Sequence, residues 1–296
     1  MRLINIKKAT STMLLAKPIY QKNGSNILLN KGCSDLTIYK DKLTQLGIHY
    51  AYIEDAVPAE ILLNDAIQKK TRNKSKKIVK ETINNVALGQ DINIRQIKNV
   101  VEKMINDILK NKNILISLSE IRTVDEYTFS HSVDVAVLAL ILGKALHYSH
   151  KQLQKLGVGA LLHDIGKAKL PSEIINKPGK LTAEEFLAIK DHPRLGFDAV
   201  KHNWGIGPLS RTIILSHHEK IDGTGYPRQV KGKSIHEFAK IVAICDVFDA
   251  LTADRCYSPK WPVQQAIDYL IENSGTHFDK DLTEKFIAHI AISSED

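Results

Sequence analysis

His163 and Asp164 stand side by side within Leu162-His163-Asp164-Ile165-Gly166-Lys167, a pairing that can place an imidazole nitrogen and a carboxylate on one metal ion. The second carboxylate oxygen is then free to reach a neighbouring ion. Alone, the dipeptide is common. It gains meaning from His131 upstream and from His192, the pair His217-His218 and Asp246 downstream. Such a constellation suits a two-metal hydrolytic site acting on phosphate esters. Imidazoles with carboxylates suit iron, manganese, zinc or nickel better than calcium or magnesium, and the absence of thiolates excludes a cysteine-type structural zinc site. A single histidine on a buried helical face is usually a hydrogen-bonded core residue. Five of them with two aspartates are not explained that way.

Three further features join this set. Lys167 lies four residues after His163 and can hold a phosphoryl oxygen; its plain alternative is a lysine favoured by the helix dipole at a C-terminus. Asp222-Gly223-Thr224-Gly225-Tyr226-Pro227 follows His217-His218-Glu219 directly. Its glycines and proline build a tight loop whose amides can approach a ligand, and Tyr226 offers a ring and a hydroxyl. Asp246 and Asp249 share a helical face, so one can ligate while the other orients a neighbouring group. Arg255 can fork onto a phosphate or pair with Asp254 or Asp249.

The elements that must position these residues are mostly helices. Apolar spacing predicts helices over residues 127–147, 149–165, 209–218 and 235–251, with His163-Asp164 near the C-terminal end of the second. Thr182-Ala183-Glu184-Glu185 is a capping box that opens another helix, ending near His192-Pro193. Two shorter helices finish the chain. Ile94, Ile97, Val101, Ile105 and Ile108 form a stripe that fits core packing within the chain, or a partner helix in a homodimer through residues 94–110. Residues 1–56 read differently. Leu14-Leu15-Ala16 and Ile27-Leu28-Leu29 flank Asn23-Gly24, a hairpin turn. A helix follows from Ser34 or Asp35 to Leu46, stopped by Gly47, and then a strand over residues 48–53. The expected organisation is a small α/β regulatory domain at 1–56, a helical linker at 57–119 and a mainly α helical bundle at 120–296.

Composition bounds the rest. The chain has 296 residues, 43% apolar and 25% charged, ordinary for a soluble globular protein with room for one or two cores. Cys33, Cys245 and Cys256 are odd in number and widely spaced, which gives no disulfide framework and fits a reducing cytoplasm. The start, Met1-Arg2-Leu3-Ile4-Asn5, lacks the apolar run of a secretory signal. The most apolar stretch, Val133 to Gly143, is too short to span a bilayer and contains Asp134. No membrane span and a cytoplasmic location are expected. The net charge of +8 owes much to Lys69–Lys77, a run without an acidic residue. A solvated face is its plain reading, and nucleic-acid binding is the least supported one.

With His131, the Leu162–Lys167 string, His192-Pro193, the run from His217 to Pro227 and the stretch from Asp246 to Arg255 in hand, residues 120–292 resemble the HD-GYP domain. This is a bacterial branch of the HD phosphohydrolase superfamily. The resemblance implies an all-α bundle that hydrolyses cyclic di-GMP to pGpG, and in many members on to GMP, with two divalent ions of iron or manganese. It implies that His131, His163, Asp164 and Asp246 hold one ion. Asp164, His192, His217 and His218 hold the other, with Asp164 as the bridge. Asp164 and Lys167 are then the catalytic residues, and Lys167, Gly225, Tyr226 and Arg255 meet the substrate. Members with a third metal carry a Glu four residues before the first histidine. Here that position is Tyr127, with Glu126 one residue out of phase, so two metals are expected and cleavage of pGpG to GMP is in question. A second departure is Ser258-Pro259 ahead of Lys260, which alters the basic side of the phosphate grip. The alternatives are a cyclic dinucleotide receptor of low or no activity, or a hydrolase of another cyclic dinucleotide.

Overall fold

The computed structural model describes residues 2–11, 13–20, 27–54, 66–110, 116–117, 127–175, 177, 179, 181–253 and 261–291. Its contacts divide the chain into two compact units. One comprises Met1–Asn64, Leu115–Ile121 and Glu284–Asp296, and the other Asp65–Ile114 and Arg122–Thr283.

The smaller unit is built on a sheet of order β2-β5-β1-β7-β6, made of β1 (Arg2–Asn5), β2 (Leu14–Leu15), β5 (Tyr50–Glu54), β6 (Ile116–Ser117) and β7 (Ile290–Ala291). A separate antiparallel pair joins β3 (Ile19–Tyr20) to β4 (Ile27–Leu29). The expected pairing of Leu14-Leu15 with the 27–29 segment is therefore corrected. Leu15 lies opposite Ile53 and is fully buried, whereas Ile27 is half exposed, so burial sends the two segments to different sheets. Asn23-Gly24 lies outside the described residues. The expected helix after Ser34-Asp35 begins as a 3-10 turn over Leu36–Tyr39 and becomes α1 at Lys40–Gln45. Gly47 ends it with a φ of 73°, as a left-handed C-terminal glycine should. Ile4, Ile6, Leu15, Leu36, Leu43 and Ile53 form the core.

The larger unit is helical. α2 (Lys69–Ala87) and α3 (Ile94–Lys110), expected as a linker, instead pack on each other and on α4 (Tyr127–Ala145) and α5 (His150–Leu161). The apolar stripe of α3 explains this. Ile97, Val100, Val101, Met104, Ile105 and Ile108 are all buried, which uses up the face proposed for a homodimer through residues 94–110. α5 approaches α3 closely at Gly157, where a Cβ would stand 2.7 Å from Val101 Cγ1. The chain continues through α6 (Ser172–Ile175), α7 (Ala183–Ile189), α8 (His192–Val200), α9 (Pro208–Ser216), α10 (Glu237–Thr252) and α11 (Val263–Glu272). α12 (Lys280–Ala288) crosses the boundary back into the smaller unit. α4 is buried all round from Ser130 to Gly143, so it has no solvent-exposed face and runs through the core of the unit. No helix among the described residues is long and apolar enough to cross a membrane.

One ion pair lies inside this core. Arg72 of α2 is buried and donates to the carboxylate of Asp134 on α4, itself buried. Burial pushes Asp134 up to about 7, and the charge of Asp249 adds to the rise while Arg72 opposes it. Without Arg72, Asp134 loses the cation that offsets its burial and must either ionise unpaired or take up a proton. Arg72→Ala is expected to cost about 3–5 kcal/mol, read as a lowered urea midpoint, and an unchanged midpoint would show the pair to be energetically idle.

Candidate metal centre

Five backbone segments deliver the cluster. His131 projects from α4. α5 ends at Leu161, so His163 and Asp164 sit in the turn before a 3-10 helix over Ile165–Lys169, and not on the helix itself as expected. The turn can lie against α8 only because residue 166 is glycine: a Cβ there would stand 1.9 Å from the His192 carbonyl oxygen. His192 opens α8 beside Pro193, directly after α7, whose Thr182–Glu185 capping box forms as expected. His217 and His218 follow the end of α9, and Asp246 and Asp249 lie on α10. The sequence-based set of seven ligands therefore converges. Two groups of ligand atoms result, Asp164 with His192, His217 and His218, and Asp164 with His131 and His163, each within 4.8 Å.

Asp164 belongs to both because its two oxygens face different ways. Oδ1 lies 3.2 Å from His192 Nε2 and 3.9 Å from His217 Nε2. Oδ2 lies 3.5 Å from His163 Nε2 and 3.7 Å from His131 Nε2, and it accepts from the Lys167 ammonium. Asp246 Oδ1 closes the second side, 3.1 Å from His131 Nε2 and 3.9 Å from His163 Nε2.

The donor atoms are prepared for cations. His163 Nδ1 lies 2.8 Å from the Ala160 carbonyl, His192 Nδ1 2.7 Å from that of Ile189, and His217 Nδ1 3.0 Å from that of Ile214. A carbonyl only accepts, so each Nδ1 carries the proton and each Nε2 presents a lone pair to the cluster. Two consequences fit a metal. Among the described residues His163 Nε2 is buried without a hydrogen-bond partner, and the Nε2 atoms of His192 and His217 face each other at 3.1 Å. Two lone pairs at that distance repel unless a cation or proton lies by them. The site suits divalent ions on these grounds.

Electrostatics follow the same division. Burial disfavours the charge on Asp164, but Lys167 and His163 outweigh it and hold the carboxyl well below its usual range. Burial likewise opposes ionisation of Asp246, and His131 overcomes it. Burial pushes His218 down to about 3 and His217 well below its usual value, so both rings are neutral. His131 is the exception. Burial works against its charge, yet Asp246 and Asp249 together push it up to about 10. His131 Nε2 lies 3.1 Å from Asp246 and its Nδ1 2.6 Å from Asp249, so each nitrogen needs a proton or a cation between it and a carboxylate.

Asp249 holds His131 Nδ1 at 2.6 Å and takes the orienting role offered to one of the two α10 aspartates. Gly225 shapes the loop and does not itself face the cluster: a Cβ would stand 2.3 Å from Lys220 N, so the loop folds back over the His218 backbone. The Tyr226 amide then donates to the His218 carbonyl at 3.1 Å, and the Tyr226 ring stacks on His218 at 4.7 Å. Burial and the charges of Asp246 and Asp164 raise the Tyr226 hydroxyl, which keeps its proton. Lys167 is 30% exposed and ion-paired to Asp164, so it faces both the cluster and solvent. Arg255, Glu126 and the side chain of Tyr127 lie outside the described residues.

Two residues escaped the sequence reading. Glu219 is buried and accepts from the backbone amides of Arg228 and Val230 at 2.7 and 3.1 Å, which pins the far side of the Tyr226 loop. Its signal was a charged residue next to two ligands, with no role of its own assigned. Lys190 places its ammonium 4.8 Å from the centre of the Phe186 ring and 5.5 Å from that of Tyr226. Its signal was a cation two residues before a ligand, easily passed over as helix surface.

A family model described as an HD domain matches residues 101–282. The chain belongs to the HD domain family, in its HD-GYP branch. This HD domain is similar to a cyclic di-GMP phosphodiesterase of Pseudomonas aeruginosa, 35% identical over 79% of the chain and 57% of that protein. It is also similar to 3'3'-cGAMP-specific phosphodiesterase 2 of Vibrio cholerae, 31% identical over 61% of the chain and 37% of that protein. The chain thus spans little more than half, or less, of these relatives' own lengths. Among solved structures, an HDG"Y"P protein from Bdellovibrio bacteriovorus shares the fold with a TM-score of 0.60 at 21% identity, covering 97% of each chain.

Removing the Asp249 charge tests the orienting bond. Asp249→Asn is expected to weaken metal binding by about 10–100-fold, measured by competition with a chelator, and wild-type affinity in that variant would refute the role.

Proposed function

We propose that this chain is a metal-dependent phosphodiesterase that hydrolyses cyclic di-GMP to pGpG. The observation that carries the reading is the division of Asp164 between two histidine sets, which is what a pair of ions sharing one carboxylate requires. The name of the Pseudomonas relative supports cyclic di-GMP as substrate. His131, His163, Asp164 and Asp246 would hold one ion and Asp164, His192, His217 and His218 the other, with iron or manganese as the metal. Bound divalent ions would supply Lewis acidity at the phosphoryl group.

The chain's own residues supply the remainder. The histidine Nδ1 bonds and Asp249 fix the ligand geometry before substrate arrives, so little reorganisation is needed at the moment of reaction. Lys167, which donates to Asp164 Oδ2, brings a cation to the carboxylate edge where a phosphoryl oxygen would lie. Tyr226 offers a proton-bearing hydroxyl and a ring held rigidly on His218. Lys190 adds a second cation beside that ring. Arg255 completes the phosphate grip by resemblance alone.

The direct test is turnover of cyclic di-GMP by iron- or manganese-loaded protein under reducing conditions, with products separated over time. Accumulating pGpG is expected, and the time course shows whether GMP follows. Asp164→Asn should lower turnover by about a thousandfold or more, since it removes a member of a unit and not an independent contributor. Full activity in that variant would sink the mechanism. Saturable binding without turnover in fully loaded wild-type protein would favour a receptor. The Vibrio relative's name supplies a second substrate to assay in parallel, 3'3'-cGAMP. For Lys190→Ala, KM should rise by about 3–10-fold with kcat nearly unchanged, and a fall confined to kcat would contradict a binding role.

A further inference from the structure

The basic run of α2 has no part in the chemistry above, yet its placement is specific. Lys70 and Lys74 stand one turn apart on α2 and share a depression of about 520 Å³ with Lys103 and Lys110 of the neighbouring α3. Gln68, Thr71, Asn106 and Asp107 complete the lining. Asp107 is the one carboxylate among them, and it is engaged: its Oδ2 accepts from the Thr71 hydroxyl at 2.7 Å and from the Gln68 amide at 3.1 Å. Those bonds fasten the start of α2 to α3. The frame is rigid for a second reason, because Thr71 and Ser75 of α2 and Met104 and Ile108 of α3 are buried beneath the lysines.

Four ammonium groups therefore surround one concave space, and among the described residues none of them is in an ion pair. A solvated face would spread such charges or interleave them with acids. This depression gathers them, with two amide side chains able to donate or accept at its edge. Its volume lies within the range of pockets that take a single small ligand. Lysine binds phosphate as a point charge without demanding a fixed fork, which suits several phosphates in a row.

We infer that the α2–α3 depression is a binding site for a small polyphosphorylated molecule, distinct from the metal centre. A concave pocket, in place of a stripe along one helix, favours a compact anion over a nucleic-acid strand. The inference does not rest on the identity of the substrate hydrolysed at the metal centre.

Magnesium-saturated ATP, titrated calorimetrically into the metal-loaded protein at low ionic strength, is the probe. The comparison is the variant carrying Lys70→Gln, Lys74→Gln, Lys103→Gln and Lys110→Gln. Exposed charges contribute modestly one by one, so the four together should weaken binding by about tenfold or more. Metal content, thermal midpoint and cyclic dinucleotide turnover of the variant should match wild type, since none of the four residues touches the metal centre. Binding that survives in Asp164→Asn but not in the lysine variant supports the site. No binding by wild type, or equal binding by the lysine variant, overturns it. So does capture of duplex DNA or phosphatidylglycerol vesicles that depends on these lysines when ATP fails to compete.

Discussion

Asp164 Oδ1 faces His192 and His217 while Oδ2 faces His131, His163 and Lys167, and nearly everything else in the helical unit serves to keep that carboxylate in place. A buried carboxylate among this many nitrogens has to be compensated. Lys167 and His163 compensate it in part, and the Nε2 lone pairs of His192 and His217, 3.1 Å apart, leave room for cations to do so fully. Two histidine sets on one carboxylate are the arrangement on which the two-ion proposal rests.

The scaffold meets this demand with close backbone approaches and buried bracing. Gly166 lets the turn carrying His163 and Asp164 rest on the start of α8, so ligands from two segments share one wall. Gly225 does the same for the loop that lays Tyr226 over His218. Behind His131, Asp249 fixes its ring and the Arg72–Asp134 pair ties α2 to the same helix. α2 and α3 are therefore part of the frame that carries the metal centre, and their loss would expose the flank of α4 and α5.

How much of this was legible in the chain depends on distance. The histidine and aspartate cluster was readable because metal chemistry restricts residue type so strongly, and the helices because α5, α7 and α10 carry clear caps or apolar periods. The stripe of α3 was visible as a stripe, but periodicity reports an apolar face and not what covers it. Packing on α2, α4 and α5 decided that. Asn23-Gly24 suggested a local partner for Leu15, but that partner is Ile53, a long-range choice set by burial. β6 and β7 are two residues each and exist through pairing alone, so no local signal could announce them. Lys190 shows a similar limit: its neighbours Phe186 and Tyr226 meet only after the loop has folded back.

The central claim is that Asp164 bridges two ions, and anomalous diffraction from crystals of anaerobically loaded protein, paired with metal analysis, tests it most directly. The account predicts two ions per chain, one bound through each oxygen of Asp164, with His192, His217 and His218 on one and His131, His163 and Asp246 on the other. A single ion, or two ions of which only one touches Asp164, would contradict it.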